Sequence, residues 1–175
     1  MMLSDREILS AVQEGRIKII PFSRDNLGPC SVDLTLSSSF KIFRNEGLVD
    51  SKERESSKSV EVVETAGRPF TINPGQFALA KTNERIAISK DLAATLEGRS
   101  SVARKGIVVH AAGLVNPGSG LRDPIPLVLE VFCQNTSPVK LHPGMRIVQI
   151  IFHQLTSETT RGYDEREDSR FVGQS

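Results

Sequence analysis

Phe70-Thr-Ile-Asn-Pro-Gly-Gln-Phe77 and Val139-Lys-Leu-His-Pro-Gly-Met-Arg146 share one pattern. Each sets a Pro-Gly pair between two strand-like runs. Proline at the second turn position with glycine at the third suits type II geometry, so both read as hairpin-like units. Outward from them lie further short runs of strand character: Val60–Val63, Phe77–Ala80, Ile86–Ile88, Ile107–Val109, Leu127–Phe132 and Ile147–Phe152. Ser31–Leu36 alternates, with Val32, Leu34 and Leu36 on one face and Ser31, Asp33 and Thr35 on the other. Ile17–Ile20 is β-branched and is stopped by Pro21. Many short strands with regular turns predict a mainly β fold, a barrel or jelly-roll-like sandwich, with helices as accessories.

One helix is predicted at the start, within residues 1–15. Ser4 caps it, Glu7 stands in capping-box register, Ile8, Leu9 and Val12 form its apolar stripe, and Gly15 ends it. Residues 44–59 are polar and charged, too poor in apolar surface to fold alone, and read as an insertion loop. The whole 175-residue chain reads as one domain.

Composition narrows the function classes. Lys and Arg number 22 against 21 Asp and Glu, a net charge of +1, so the chain lacks the basic stripe of a general nucleic-acid binder. Cys30 and Cys133 belong to no C-x-x-C or Cys/His spacing, which argues against structural zinc and against a disulfide framework. No stretch approaches the ~20 apolar residues of a membrane span, and the N-terminus has no signal-like apolar run. The expectation is a cytoplasmic protein without a membrane partner. The lone tyrosine, Tyr163, stands apart in a polar tail.

Two stretches carry chemistry. Gly98-Arg-Ser-Ser-Val-Ala-Arg-Lys-Gly106 can form a short helix whose free N–H groups, two hydroxyls and arginines suit a phosphate. It also reads simply as a capped connecting helix with solvated arginines. Glu130 sits in the apolar run Leu127–Phe132, where desolvation favours the neutral acid and fits a proton-transfer role. Ordinary alternation on a half-exposed strand would place a glutamate there as well. Asp33 reads as a structural group bonded to backbone, and Asp123, beside Pro124 and Pro126, as part of an exposed turn. His110, His142 and His153 are scattered and show no ligand clustering.

The Gly98–Gly106 block, together with Ser31–Leu34, Val109-His110, Val128–Glu130, Pro143–Phe152 and Gly162–Phe171 followed by Gln174, occurs in an order along nearly the whole chain that resembles the dCTP deaminase branch of the dUTPase superfamily. The resemblance implies a distorted jelly-roll β-barrel of the dUTPase type and a homotrimer with active sites between subunits. It implies a triphosphate site at Arg99, Ser100, Ser101, Val102, Ala103 and Arg104. It places Glu130 on the family's catalytic glutamate, with Asn116, Val128 and Gln149 as further nucleotide contacts. Tyr163, Arg170 and Gln174 match tail positions that close over the triphosphate, making residues 162–175 a lid segment, although the family usually has Lys at the Arg170 position. Three departures stand out. Ala111-Ala112 replaces a usual threonine-containing pair, Asn116 replaces an aspartate, and the link Leu121–Pro126 is longer than the family's.

The activity this implies is hydrolytic deamination of dCTP to dUTP and ammonia. Mg²⁺ would arrive on the triphosphate, with no protein ligand and no zinc, because the zinc-deaminase signature is missing. Two alternatives remain: a dUTP diphosphatase, alone or combined with deamination, and a catalytically silent nucleotide-binding regulator. Asn116, lacking the charge that would orient water at a phosphate, weighs against the diphosphatase.

Overall fold

A computed structural model describes residues 1–44, 60–110 and 113–165. The chain opens with α1 (Asp5–Gln13). Ser4 and Glu7 form both arms of the expected capping box. The helix closes with Gly15 at φ +75°, where the Gly15 and Arg16 N–H groups donate to the Val12 and Ala11 carbonyls. Its buried face is set by Ile8 and Ala11, while Leu9 and Val12 are only half-buried, so the stripe is rotated slightly from the expected one.

The strands follow as β1 (Ile17–Ile20), β2 (Val32–Phe43), β3 (Val60–Glu64), β4 (Phe70–Ile72), β5 (Phe77–Ile88) and β6 (Leu92–Gly98). After the one-turn helix α2 (Ser100–Ala103) come β7 (Ile107–His110), β8 (Leu114–Val115), β9 (Ile125–Cys133), β10 (Val139–Leu141) and β11 (Arg146–Gln154). The larger sheet runs β7-β9-β5-β2-β11-β6-β8, with β1 added on β5 and β3 on β2. It is a strongly shared arrangement: β2 pairs with β11 through Val32–Thr35 and with β5 from Leu36 onward. The fold class is mainly β, as expected.

The two Pro-Gly units form type II turns, with Gly75 at φ +73° and Gly144 at φ +81°, and the Gln76 and Met145 N–H groups donate to the Asn73 and His142 carbonyls. They are not hairpins. β4 pairs with β10, the corresponding strand of the other unit, as a separate two-stranded sheet. Each turn is therefore a corner at which the chain leaves the small sheet for the large one, and their likeness reflects mutual pairing. Stacked Phe40 and Phe70, with ring centroids 4.2 Å apart, pack β2 against this small sheet.

Three further differences arise from tertiary context. Phe77–Ala80 and Ile86–Ile88 are one long strand, interrupted only by a register shift between Lys81 and Arg85. Its polar middle is accommodated because Thr82 Oγ1 bonds the Glu84 carbonyl and the Leu127 N–H, while the Glu84 carboxylate accepts from the Thr35 backbone and hydroxyl. β6 and β8 were not anticipated: Leu92-Ala-Ala-Thr-Leu-Glu-Gly98 has weak strand propensity and is held by pairing with β11. The core is formed by Leu34, Leu36, Leu129, Ile150 and Phe152, each fully buried and worth roughly 1.5–3 kcal/mol of transfer free energy. All but Arg44 of the expected insertion loop lies outside the described residues.

Candidate active site

β9 sends Leu127, Leu129, Val131 and Cys133 into the core, which leaves Val128, Glu130 and Phe132 on its other face. That face is not open solvent. The curl of the sheet turns it into the floor of a cavity of about 450 Å³, walled by β2, β5, the Gly113–Ser119 stretch, Ile125–Leu127 and Tyr163. Alternation thus takes Glu130 out of the core, and the fold then covers it. Glu130 Oε2 is buried and receives no hydrogen bond from the described residues. A buried carboxylate oxygen without a donor is unfavourable, and such atoms concentrate at sites built for another partner. Leu79 on β5 and His110 on β7 are its cross-strand neighbours.

Two lysines share the cavity, Lys41 from β2 and Lys81 from β5. Burial holds the Lys81 ammonium below the ordinary lysine range, the Lys41 charge pushes the same way, and Glu64 opposes both. Neither lysine was singled out by sequence. Each stands at an alternating strand position where a solvated lysine is ordinary, and only the curl of the sheet encloses them.

The phosphate-like block occupies a different place. Arg99 is the N-cap residue of α2, and its carbonyl accepts from the Val102 and Ala103 N–H groups. Its guanidinium pairs with Asp33, which Arg146 approaches from the other side at 3.6 Å. Asp33 is therefore the anchor of an arginine pair and not the backbone-satisfying group expected. Gln149 on β11 lies directly between Asp33 on β2 and Glu97 on β6 in strand register. Ser100, Ser101, Ala103 and Arg104 are exposed, and Val102 is the buried residue that fastens α2 to the body.

The structure thus sorts the expected site residues into two groups. Asn116, Val128, Glu130 and Tyr163 line the large cavity. Arg99, Ser100, Val102 and Ala103 line a separate, smaller one beside β7, while Ser101 and Arg104 belong to the same α2 block and Gln149 to the neighbouring strand. The two groups do not meet in one cavity of a single chain. Arg170, Gln174 and Ala111-Ala112 lie outside the described residues. Asp123 is exposed, as expected, and pairs with Arg85 at 2.8 Å. His153 contacts Thr95 Oγ1, away from Glu130. Among the described residues no group of three His, Cys, Asp or Glu side chains is arranged to hold a metal ion. No helix of the described residues is long and apolar enough to cross a membrane.

Comparison with known proteins fits this geometry. A family model described as dCTP deaminase-like matches residues 2–155. A protein of Dictyoglomus thermophilum named dCTP deaminase, dUMP-forming, is 39% identical over 180 residues, covering 99% of this chain and 91% of its own length. The solved 2'-deoxycytidine 5'-triphosphate deaminase from Agrobacterium tumefaciens superposes with a TM-score of 0.67 at 21% identity over 87% of this chain, which spans about half, 47%, of that one. The dUTPase of Staphylococcus bacteriophage 80alpha superposes with a TM-score of 0.51 at 12% identity, covering 84% of this chain and 95% of its own, and shares the fold.

Proposed function

This chain belongs to the dCTP deaminase-like family, and on that premise we propose that it deaminates dCTP with Glu130 as the proton-transfer group. The observation that carries the reading is Glu130 Oε2, buried and without a hydrogen-bond donor among the described residues, on the floor of a cavity of about 450 Å³, roomy enough for a nucleobase and more. In the reaction, a water oxygen adds to C4 of the cytosine while the Glu130 carboxylate takes its proton. That proton is delivered to N3, the remaining hydroxyl proton then passes through the same carboxylate to the exocyclic nitrogen, the C4–N bond breaks, and ammonia leaves as the C4 carbonyl forms. dCTP and water give dUTP and ammonia. Exclusion of water by the surrounding Leu79, Val128 and Pro126 strengthens the electrostatics of the transfer.

The nucleotide's phosphates are assigned to Arg99, Ser100, Ser101 and Arg104 of a neighbouring copy, with Gln149 as a further nucleotide contact. Support comes from the separation of the two groups of residues within one chain, which a homotrimer with sites between subunits would reconcile. Mg²⁺ is taken to enter with the triphosphate, whose oxygens are the hard ligands it prefers. Arg170 and Gln174 are assigned to contacts over the same phosphates.

A second reading concerns the product. The 39% identical relative is named dUMP-forming, which favours onward hydrolysis of dUTP to dUMP and diphosphate. Asn116, uncharged where a water-orienting carboxylate would stand, favours release of dUTP. Incubating the purified protein separately with dCTP and with dUTP, each with Mg²⁺, and resolving the products by chromatography tests both. dUTP and ammonia from dCTP, with dUTP itself untouched, supports the first reading. dUMP from dCTP supports the second. Unchanged dCTP overturns the deaminase assignment.

A further inference from the structure

The wall of the Glu130 cavity includes the stretch from Asn116 to Pro126, which is irregular as far as Pro124, then enters β9, and contributes Asn116, Ser119, Ile125 and Pro126. Its backbone donors need acceptors that a strand ladder would otherwise supply. Towards its ends they have them: the Gly118 and Ser119 N–H groups donate to the Ser89 and Asn116 carbonyls, and just beyond the link the Leu127 N–H donates to Thr82 Oγ1. In the middle, the Gly120 and Arg122 N–H groups both donate to one carboxylate, Asp164, at 3.2 Å each, to Oδ1 and Oδ2 respectively.

Asp164 lies far along the chain, in a short 3₁₀ turn, Tyr163–Glu165. That turn is itself fastened. The Tyr163 N–H donates to the Pro117 carbonyl at 2.8 Å, Glu165 pairs with Lys90 at 2.6 Å, and the Gly162 N–H donates to Glu165 at 2.9 Å. The Lys90 contact and the Gly162 bond hold the Glu165 carboxyl below its ordinary range. The surfaces meet without space for side chains. A Cβ on Gly118 would stand 2.6 Å from Gly162 Cα, and one on Gly120 would collide with the Ile86 carbonyl. The link is thereby wedged between β5 and the Tyr163–Glu165 turn, and Tyr163, next to Asp164, faces the same cavity.

We propose that Asp164 is a positioning residue for the reaction at Glu130: by accepting both main-chain donors it fixes the Asn116–Pro126 wall against the nucleobase. The carboxylate is needed because its two oxygens satisfy two donors. An asparagine offers one acceptor and turns an NH₂ towards the other donor. The stretch is also held by main-chain bonds at Pro117, Gly118 and Ser119 and by the start of β9, whereas the ion pair of Arg85 with the exposed Asp123 is a surface pair of the kind that contributes little. Misplacing a cavity wall costs rate, because near-attack geometry tolerates displacements of well under an ångström.

The test uses the full chain. Hydrogen exchange without nucleotide compares wild type with Asp164→Asn, Asp164→Ala and Arg85→Ala. Exchange across Gly120–Arg122 is expected to speed up by about tenfold or more in both Asp164 variants and to stay near wild type in Arg85→Ala, with β9 amides unchanged in all. Tyr163 is the sole tyrosine and there is no tryptophan, so intrinsic tyrosine anisotropy reads the same site and should fall. The activity arm rests on the deaminase reading: kcat with dCTP is expected to drop about tenfold or more while KM moves less. If Asp164→Ala does not fold, Asp164→Asn carries the comparison. Unchanged exchange at Gly120–Arg122 in the Asp164 variants overturns the proposal. So does faster exchange with kcat intact. A wild-type protein inactive on dCTP would instead sink the deaminase reading and leave the exchange result to stand by itself.

Discussion

Around Arg99 the guanidinium is already paired: Asp33 holds it on the surface of the sheet, Arg146 reaches the same carboxylate, and the neighbouring hydroxyls of α2 are open to solvent. Around Glu130 the opposite holds. One carboxylate oxygen is buried without a donor among the described residues, and Lys81, in the same cavity, is held below its ordinary range by burial. The contrast matches two different tasks. A triphosphate is recognised by charges that are oriented in advance and remain accessible, so that phosphate exchanges with water easily. A proton-transfer group works best where water is excluded and its partner is the substrate. One chain keeps the two environments apart on different strands of one curled sheet.

The largest expected effect breaks the buried side of this contrast. Glu130→Gln should lower deamination by at least ~10²-fold, the scale of a lost general acid–base group, with nucleotide binding near wild type because the amide is isosteric. Steady-state kinetics with dCTP alongside calorimetric titration measures both. Normal turnover by this variant would move the chemistry elsewhere.

The exposed side should respond differently. Arg104→Ala is expected to weaken triphosphate binding by about 10- to 100-fold, the worth of one charge-assisted hydrogen bond at about 1.5–3 kcal/mol, and to leave the bare nucleoside unaffected. Equal weakening of both ligands by calorimetry would make Arg104 a structural residue and erase the contrast.

The smallest effect lies outside both regions and shows what a purely structural charge does. Asp91 is pushed up by burial, but this is outweighed by hydrogen bonds from Ser89, Gln154 and Arg16, so its carboxyl titrates below the ordinary range. A carboxyl lowered on folding adds stability that is complete above its unfolded value and disappears as pH falls through the folded value. The Tm advantage of wild type over Asp91→Asn should therefore be constant near neutrality and shrink in the acid range, below the usual carboxylate pKa. A gap that stays constant down to that range would rule out the charged network of Arg16, Asp91 and Gln154 as its source.

Much of the architecture was legible locally. The Ser4 and Glu7 capping box, the Gly15 stop, the alternation of Val32, Leu34 and Leu36, and the type II geometry at Gly75 and Gly144 each depend on a few adjacent residues, and each occurs as expected. What the Pro-Gly units pair with was not legible, because a type II turn constrains four residues and says nothing about which strand supplies the ladder. β6 is not legible in the sequence for a related reason: its pairing with β11 outweighs weak propensity.

The site divides in the same way. Glu130, Val128, Asn116 and the Arg99–Arg104 block could be named from residue type and order along the chain. Lys81, the role of Asp33 and that of Asp164 could not. Asp164 sits in a mixed-charge tail that by itself reads as solvated, and its two donors come from 42 and 44 positions earlier in the chain. The sequence by itself determined which residues are candidates for acid–base and phosphate chemistry, since candidacy follows from side-chain type and from the order of motifs along the chain. Only the tertiary structure decided which of them are enclosed, paired or left without a donor, because burial and hydrogen-bond satisfaction are set by strands and turns brought together from distant parts of the chain.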